Sequence, residues 1–470
     1  MGNKSRSKLG DKRLEKGYET LLGNMLIRYS VILRQLSDGR NEEVQLSRFV
    51  NNPKVSAKGL VDHTCQQLTV DVKDKSLLVI SDSSTLSFSS NARREELGYV
   101  GHKGNKSGFS VHPAIVLDAE HGACYGLGGI SIHKAPFVRT AEQKSEQEQK
   151  RRDNWKIPFK EKERYKWFDA AQQAVSNYPQ AARYTLIGDR ESDIYALMGL
   201  TLNRGWDFVY RSQFNRVVTS QQGETTKLYE LIQAWPVSHT YQLDLPKTKK
   251  RSAHQATIAL KYGPVHIPRP EFSKDPELED RLKVWVIQAH EQKQSVVGDE
   301  PPIHWLLLSS HPVESISQAL QVIKWYLWRW TIEQLFRTLK SKGLNVEKAE
   351  VESFHGLVNL ATLALITATQ VMQLVQSRDG QTLQKIGDAF SVPEIRCLQA
   401  LNKKLQGNTQ KQKNPHPPDT LAFAAWIIAR LGGWKGYSNN RPPGPITFIN
   451  GLARFYGILE GFYLFDQQSY

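Results

Sequence analysis

Two short strand-like runs, each ending in an aspartate, constrain this chain most. Leu77–Ile80 is continuously apolar and leads through Ser81 to Asp82, and Tyr184–Gly188 leads directly to Asp189. A strand without polar alternation is buried on both faces, so it needs helices covering the sheet. Further strand-like runs at Phe109–Leu117, Cys124–Ile132 and Phe208–Tyr210, with helical patterns at Trp167–Ser176 and Ser192–Leu202, predict a mixed α/β sheet. A carboxylate at the carboxyl end of a central strand is held at the rim of the sheet, where α/β proteins place metal ligands and catalytic acids. Each aspartate also has a plainer use as a turn or cap residue, and Asp189 is placed to cap the helix that follows it.

A third carboxylate joins them by its spacing. A long helix is expected from Ser315 to Lys342, ending at Gly343. Along it Tyr326, Arg329, Glu333 and Lys340 fall within roughly 60° of one another at 3.6 residues per turn. This polar stripe borders an apolar arc of Trp328, Ile332, Leu335, Phe336 and Leu339, which would steer Glu333 toward a neighbouring site. A salt-bridged helix surface fits the same spacing, because Arg329 and Glu333 are i,i+4 partners. Three carboxylates without a histidine or cysteine cluster favour a hard, oxygen-ligated cation, Mg²⁺ or Mn²⁺. Two such ions can activate an attacking oxygen and stabilise the leaving oxygen of a phosphodiester. Arg329 and Lys340 then supply a planar fork and a point charge for phosphate.

The flanks read differently. Residues 9–70 predict short helices, with Leu21, Leu22, Met25, Leu26, Val31, Ile32 and Leu33 at helical spacing, a break at Pro53 and a cap at Ser56. Lys12, Arg13, Lys16, Arg28, Arg34 and Arg40 interleave with them, which suits either a DNA-binding domain or an ordinary basic bundle. Within about 212–303, short strands at Tyr241–Leu245, Ala256–Tyr262 and Val284–Ala289 surround the basic run Lys247, Lys249, Lys250, Arg251, a solvated loop or a DNA contact. After a strand at Trp305–Leu308 and the long helix, helices are expected at Phe354–Ser377, Leu383–Leu405, Leu421–Leu431 and Ile446–Phe465.

The 470 residues require more than one core. With 62 Lys and Arg against 47 Asp and Glu the net charge is +15, which points toward an anionic polymer. Cys65, Cys124 and Cys397 are odd in number and widely spaced, giving neither a zinc pattern nor a disulfide framework. The basic start, Met1 to Gly10, lacks the apolar stretch of a signal peptide, and no apolar run of about 18 residues is apparent. A cytoplasmic protein that does not span a membrane is expected.

On these residues the chain resembles the transposases of bacterial insertion sequences of family four, a branch of the DDE class. Asp82 in Ile-Ser-Asp-Ser-Ser-Thr and Asp189 in Gly-Asp-Arg-Glu-Ser-Asp-Ile match its two aspartate motifs. Tyr326, Arg329, Glu333 and Lys340 match its Tyr-x2-Arg-x3-Glu-x6-Lys signature at every spacing. Shorter matches run from Leu9-Gly10-Asp11 to Ala429-Arg430-Leu431-Gly432-Gly433. The resemblance implies an RNase H-like catalytic core at 71–370, interrupted by a β-rich insertion at about 212–303. It implies a helical domain at 1–70 that binds transposon ends and a helical dimerisation domain at 371–470. Two Mg²⁺ ions, replaceable by Mn²⁺, would be held by Asp82, Asp189 and Glu333. Tyr326, Arg329 and Lys340 would hold phosphates, Trp305 would stack on a flipped base or simply pack in the core, and Arg211, Arg13 and Arg28 would contact DNA. The expected partners are double-stranded DNA, at transposon ends and target, and a second copy of the chain. Two positions depart from the pattern: Ser84 stands where relatives often carry Thr, and Phe336 where some carry His.

Overall fold

The computed structural model describes residues 9–68, 70–88, 97–100, 106–134, 149, 157–245, 252–271, 273, 275–298, 300–340, 343–436 and 442–466. The basic run Lys247 to Arg251 lies outside the described residues, as does much of the charged stretch at 143–166. In chain order the elements are α1 (Lys12–Arg28), α2 (Leu33–Leu36), α3 (Arg40–Val50), α4 (Ala57–Gln67), β1 (Ser76–Ser81), β2 (Ser84–Phe88), β3 (Gly98–Val100), β4 (Lys106–Asp118), β5 (Cys124–His133), α5 (Lys166–Asn177), β6 (Arg183–Gly188), α6 (Tyr195–Asn203) and β7 (Asp207–Arg211). There follow β8 (Val217–Thr219), β9 (Thr225–Lys227), α7 (Leu228–Ala234), β10 (His239–Leu245), β11 (His254–Pro268), β12 (Arg281–Glu291), β13 (His304–Ser309), α8 (Ile316–Leu327), α9 (Trp330–Leu339), α10 (Phe354–Ser377), α11 (Val392–Leu405), α12 (Leu421–Leu431) and α13 (Pro445–Asp466). They form two compact units. The first holds Met1–Arg139, Asp169–Ala182 and Trp330–Tyr470, the second Thr140–Phe168 and Arg183–Arg329.

The first unit is organised around β4 and α10. Leu77–Ile80 of β1 are at most 1% exposed, as a strand covered on both faces requires. β1 and β2 run in line along one side of β4, both antiparallel to it, and β5 pairs along the other side. Gly129 of β5 lets α5 approach closely: a Cβ there would lie 2.1 Å from the Ala170 carbonyl oxygen. The helices from the two ends of the chain, expected as separate domains, pack together here, α1 on α13 and α3 and α4 on α10. Their stripes explain why. Leu14, Tyr18, Leu21 and Met25 put one face of α1 inside, capped by Asp11 through Arg13 N at 2.8 Å.

α10 corrects one expectation. It is long and apolar enough to cross a membrane by composition, with a mean hydropathy of 1.5 over its most apolar window, a run the sequence reading did not register. That window is 94% buried inside the protein, so its apolar surface is spent on core packing. Its polar groups are satisfied there: Asn359 Nδ2 donates to the Val50 and Val55 carbonyls at 2.9 and 3.1 Å, and Gln373 to the Cys124 carbonyl at 3.2 Å.

In the second unit β6, α6 and β7 form a βαβ with parallel strands, Thr185 opposite Asp207 and Gly188 opposite Tyr210. The segment expected as an insertion extends this sheet. β13 pairs with β7, β12 with β13 and β11 with β12, while β10 and β8 both pair with β11. β10 and β11 alternate in burial where β6 does not, as antiparallel strands with one open face do.

Two helices differ from expectation. The single helix of Ser315–Lys342 is two, α8 and α9, interrupted at Trp328–Arg329. Ser315 caps α8 in a reciprocal box with Gln318, and the Arg329 amide closes a tight turn onto the Tyr326 carbonyl at 3.1 Å. No proline or glycine forces the break. It falls in Trp-Tyr-Leu-Trp-Arg-Trp-Thr-Ile, where aromatic and β-branched residues lower helix propensity. The stripe through Tyr326, Arg329, Glu333 and Lys340 is therefore not one face of one helix. Similarly, Leu383–Leu405 begins as a helix only at Val392, after the Ser391 cap, with Leu383 in the left-handed region at φ 51°.

Candidate active site

Asp82 occupies a gap in a strand. β1 and β2 keep one register along β4, Ser81 opposite Ala114 and Ser84 opposite Val111, which sets Asp82 opposite Pro113. The Ala119 amide donates to the Ser76 carbonyl at 2.9 Å and fixes the phase: alternate β4 residues through position 113 aim their N–H toward β1 and β2. Proline has no N–H, so the ladder cannot close at Asp82. Asp82 Oδ1 accepts from Ser83 N at 2.7 Å, and Ser83 Oγ pairs with the buried His112 ring at 2.9 Å.

Glu333 lies on α9 in the same unit and is half-buried, as Asp82 is. Ile332, Leu335 and Leu339 face inward, and α9 is tied to α10 by Gln376 Nε2 donating to Thr331 Oγ1 at 2.8 Å. Past the end of α9, Lys340 Nζ donates to the Thr85 carbonyl of β2. Burial lowers the Lys340 pKa from its ordinary value, and Glu347 works against that. Glu347 itself accepts from Ser87 N at 2.8 Å and Ser87 Oγ at 3.0 Å. The helix carrying Glu333 is thus anchored to the strand that begins two residues after Asp82.

Asp189 belongs to the second unit. It follows β6, whose Tyr184–Ile187 are at most 9% exposed, and is itself half-buried. It does act as a cap: one carboxylate oxygen accepts from Glu191 N at 2.9 Å. Asp193, four residues on, is 3% exposed and accepts from Gln213 N at 2.7 Å and Phe214 N at 3.2 Å. It is also ion-paired with Arg216. Asp193 lies inside the second aspartate motif, Gly-Asp-Arg-Glu-Ser-Asp-Ile, where the sequence alone assigns it no role. A carboxylate that close to a strand end, with arginine 23 positions on, becomes legible only once β7 returns beside β6.

The expected DNA contacts divide. Arg211 Nη2 donates to the His304 carbonyl at 2.9 Å, and Trp305 is half-buried with its ring 6.5 Å from that of Tyr326. Tyr326 is 2% and Arg329 7% exposed, the guanidinium 5.6 Å from the Tyr326 ring, so both are packed rather than displayed. The Tyr326 hydroxyl is buried without a partner among the described residues. Arg13 is exposed, whereas Arg28 is engaged by Asp38 and by the Gln35 and Ser37 carbonyls at 3.2 and 2.8 Å. Arg28 therefore closes the turn after α1.

Within each unit, among the described residues, no three His, Cys, Asp or Glu side chains stand together as a metal site. Asp82 and Glu333 lie in the first unit and Asp189 in the second. All three are half-buried and offer oxygen alone, which fits a hard divalent cation.

Residues 166–369 match the family model of the transposase DDE domain. The matched span contains Asp189, Arg211, Trp305, Tyr326, Arg329, Glu333 and Lys340, and Asp82 precedes it. The match supports a transposase DDE domain over that span.

Proposed function

We propose that the chain is a cut-and-paste DNA transposase of bacterial insertion-sequence family four, of the transposon-five kind, with Asp82, Asp189 and Glu333 as its catalytic acids. What carries this reading is the matched DDE domain itself. It holds Asp189 at the end of a buried strand, and Glu333 on a helix tied through Lys340 to the strand after Asp82.

Asp82, Asp189 and Glu333 would hold two Mg²⁺ ions, with Mn²⁺ able to replace them. The ions supply Lewis acidity at the attacking and leaving oxygens of a phosphodiester. The chain's own residues do the rest. The gap opposite Pro113 and the cap at Asp189 fix two carboxylates at strand ends, and Lys340 and Arg211 place positive charge for phosphate. Each transposon end is nicked to free a 3′-OH, which attacks the opposite strand to form a hairpin. The hairpin is reopened by water, and the 3′-OH then joins target DNA. A homodimer pairs the two ends in the bacterial cytoplasm.

Asp82→Ala tests the assignment on duplex DNA carrying the inverted repeats that flank the gene. Cutting in Mg²⁺ should be abolished with end binding retained, and a variant that still nicks would remove Asp82 from the site. Joined donor–target product separates a transposase from an RNase H-like nuclease that only hydrolyses, and from an inactive DNA-binding derivative.

A further inference from the structure

The second unit displays an aromatic side chain that the three acids leave unused. Phe214 is 46% exposed, yet the turn carrying it is hydrogen-bonded on both flanks. The buried Asp193 carboxylate accepts from Gln213 N and from the Phe214 amide itself, at 2.7 and 3.2 Å. Beyond it, Asn215 Oδ1 accepts from Tyr229 N and the Arg216 carbonyl from Leu228 N, both at 2.9 Å. Holding a surface loop this firmly removes chain entropy, so an apolar ring fixed outward on it is poised for contact without further ordering.

Its position gives that contact a chemistry. The turn leaves the end of β7, the strand parallel to β6, and Asp193 clips it to the loop that begins at Asp189. Phe214 and Asp189 therefore share the carboxyl-end rim of the same two strands. Beside the acids the rim carries positive charge: Arg190 and Arg211 both act on His304, whose pKa burial, His290 and these two arginines together lower. A flat apolar face on a rim that also carries arginines suits a ligand that alternates planar rings with phosphates, and suits it best where the rings are unstacked.

We propose that Phe214 is a stacking platform for an unpaired base of the DNA strand held beside Asp189, an inference that rests on the transposase reading above. The test uses the full chain and two probes of unrelated sequence: a fully paired duplex, and the same duplex with a short single-stranded gap containing 2-aminopurine. Wild-type protein should bind the gapped probe more tightly and change its 2-aminopurine fluorescence. Phe214→Ala should lose about tenfold in affinity for the gapped probe and the fluorescence change, with duplex binding unaltered. Phe214→Trp should restore both. Equal binding of both probes by wild type and Phe214→Ala overturns the inference, as does a parallel loss on both probes that Trp does not repair. Either result leaves the transposase reading standing. A wild-type chain that binds neither probe overturns the inference too, while end binding on the inverted repeats tests the transposase reading separately.

Discussion

Asp82 stands opposite Pro113, at the one position in β4 that has no N–H to offer β1 and β2. A proline inside a strand paired on both sides is unusual, and here it withholds one ladder bond from the acid-bearing residue. Pro113→Ala restores a donor and lets the strand zip through Asp82. One added backbone bond and a looser unfolded chain offset each other to within about 1 kcal/mol, so thermal stability should hardly move. Cutting should fall by roughly tenfold or more, because a displaced carboxylate misaligns the reacting groups. Single-turnover cleavage beside a melting curve reads both, and unchanged cleavage would show that the Pro113 gap does not position Asp82.

Asp193 and Arg216 should be unequal under mutation. Asp193→Ala strands the Gln213 and Phe214 amides and leaves the Arg216 charge buried without its partner, a loss of about 3–5 kcal/mol. Arg216→Met leaves the carboxylate its two backbone donors and should cost about half as much. Urea unfolding of the two variants decides this, and equal losses would contradict the asymmetry.

His311 sets an acid limit on the second unit. It is buried, pairs with Thr185 Oγ1 at 2.8 Å, and burial lowers its pKa to about 4 from 6.5. Above the unfolded value both states are neutral and the contribution is complete. As pH falls, the unfolded chain takes up the proton first and stability drains away until about 4. The His311 contribution should fall by about 2 kcal/mol from pH 7 to pH 5, and His311→Gln should remove that part of the dependence. Denaturant midpoints at the two pH values measure it.

Much of the architecture was legible because burial leaves a direct mark on composition. Leu77–Ile80 and Tyr184–Ile187 could only be strands covered on both faces, and they are. Phe354–Ser377 and Leu421–Leu431 were read to the residue, since apolar runs with clear caps announce their ends. The break at Trp328–Arg329 was hidden, because helix periodicity continues across it and no proline or glycine marks it. The packing of the terminal helices together was hidden too. A stripe such as Leu14, Tyr18, Leu21, Met25 says that a partner exists and not which one. In the candidate site, Asp82 and Asp189 were visible from their strands, whereas the Pro113 gap and the Asp193 clip depend on register and strand return, which are pairings between distant segments.

The two carbonyls that Asn359 satisfies, on Val50 and Val55, lie 309 and 304 residues upstream of it. A nascent chain leaving the ribosome thus emits its opening helices long before the helix that shelters them exists. Through most of synthesis those helices carry uncovered apolar flanks, a setting that favours chaperone capture or aggregation over early folding. A message truncated ahead of residue 354 would accordingly yield an N-terminal fragment deprived of its scaffold rather than a small free-standing reader of DNA.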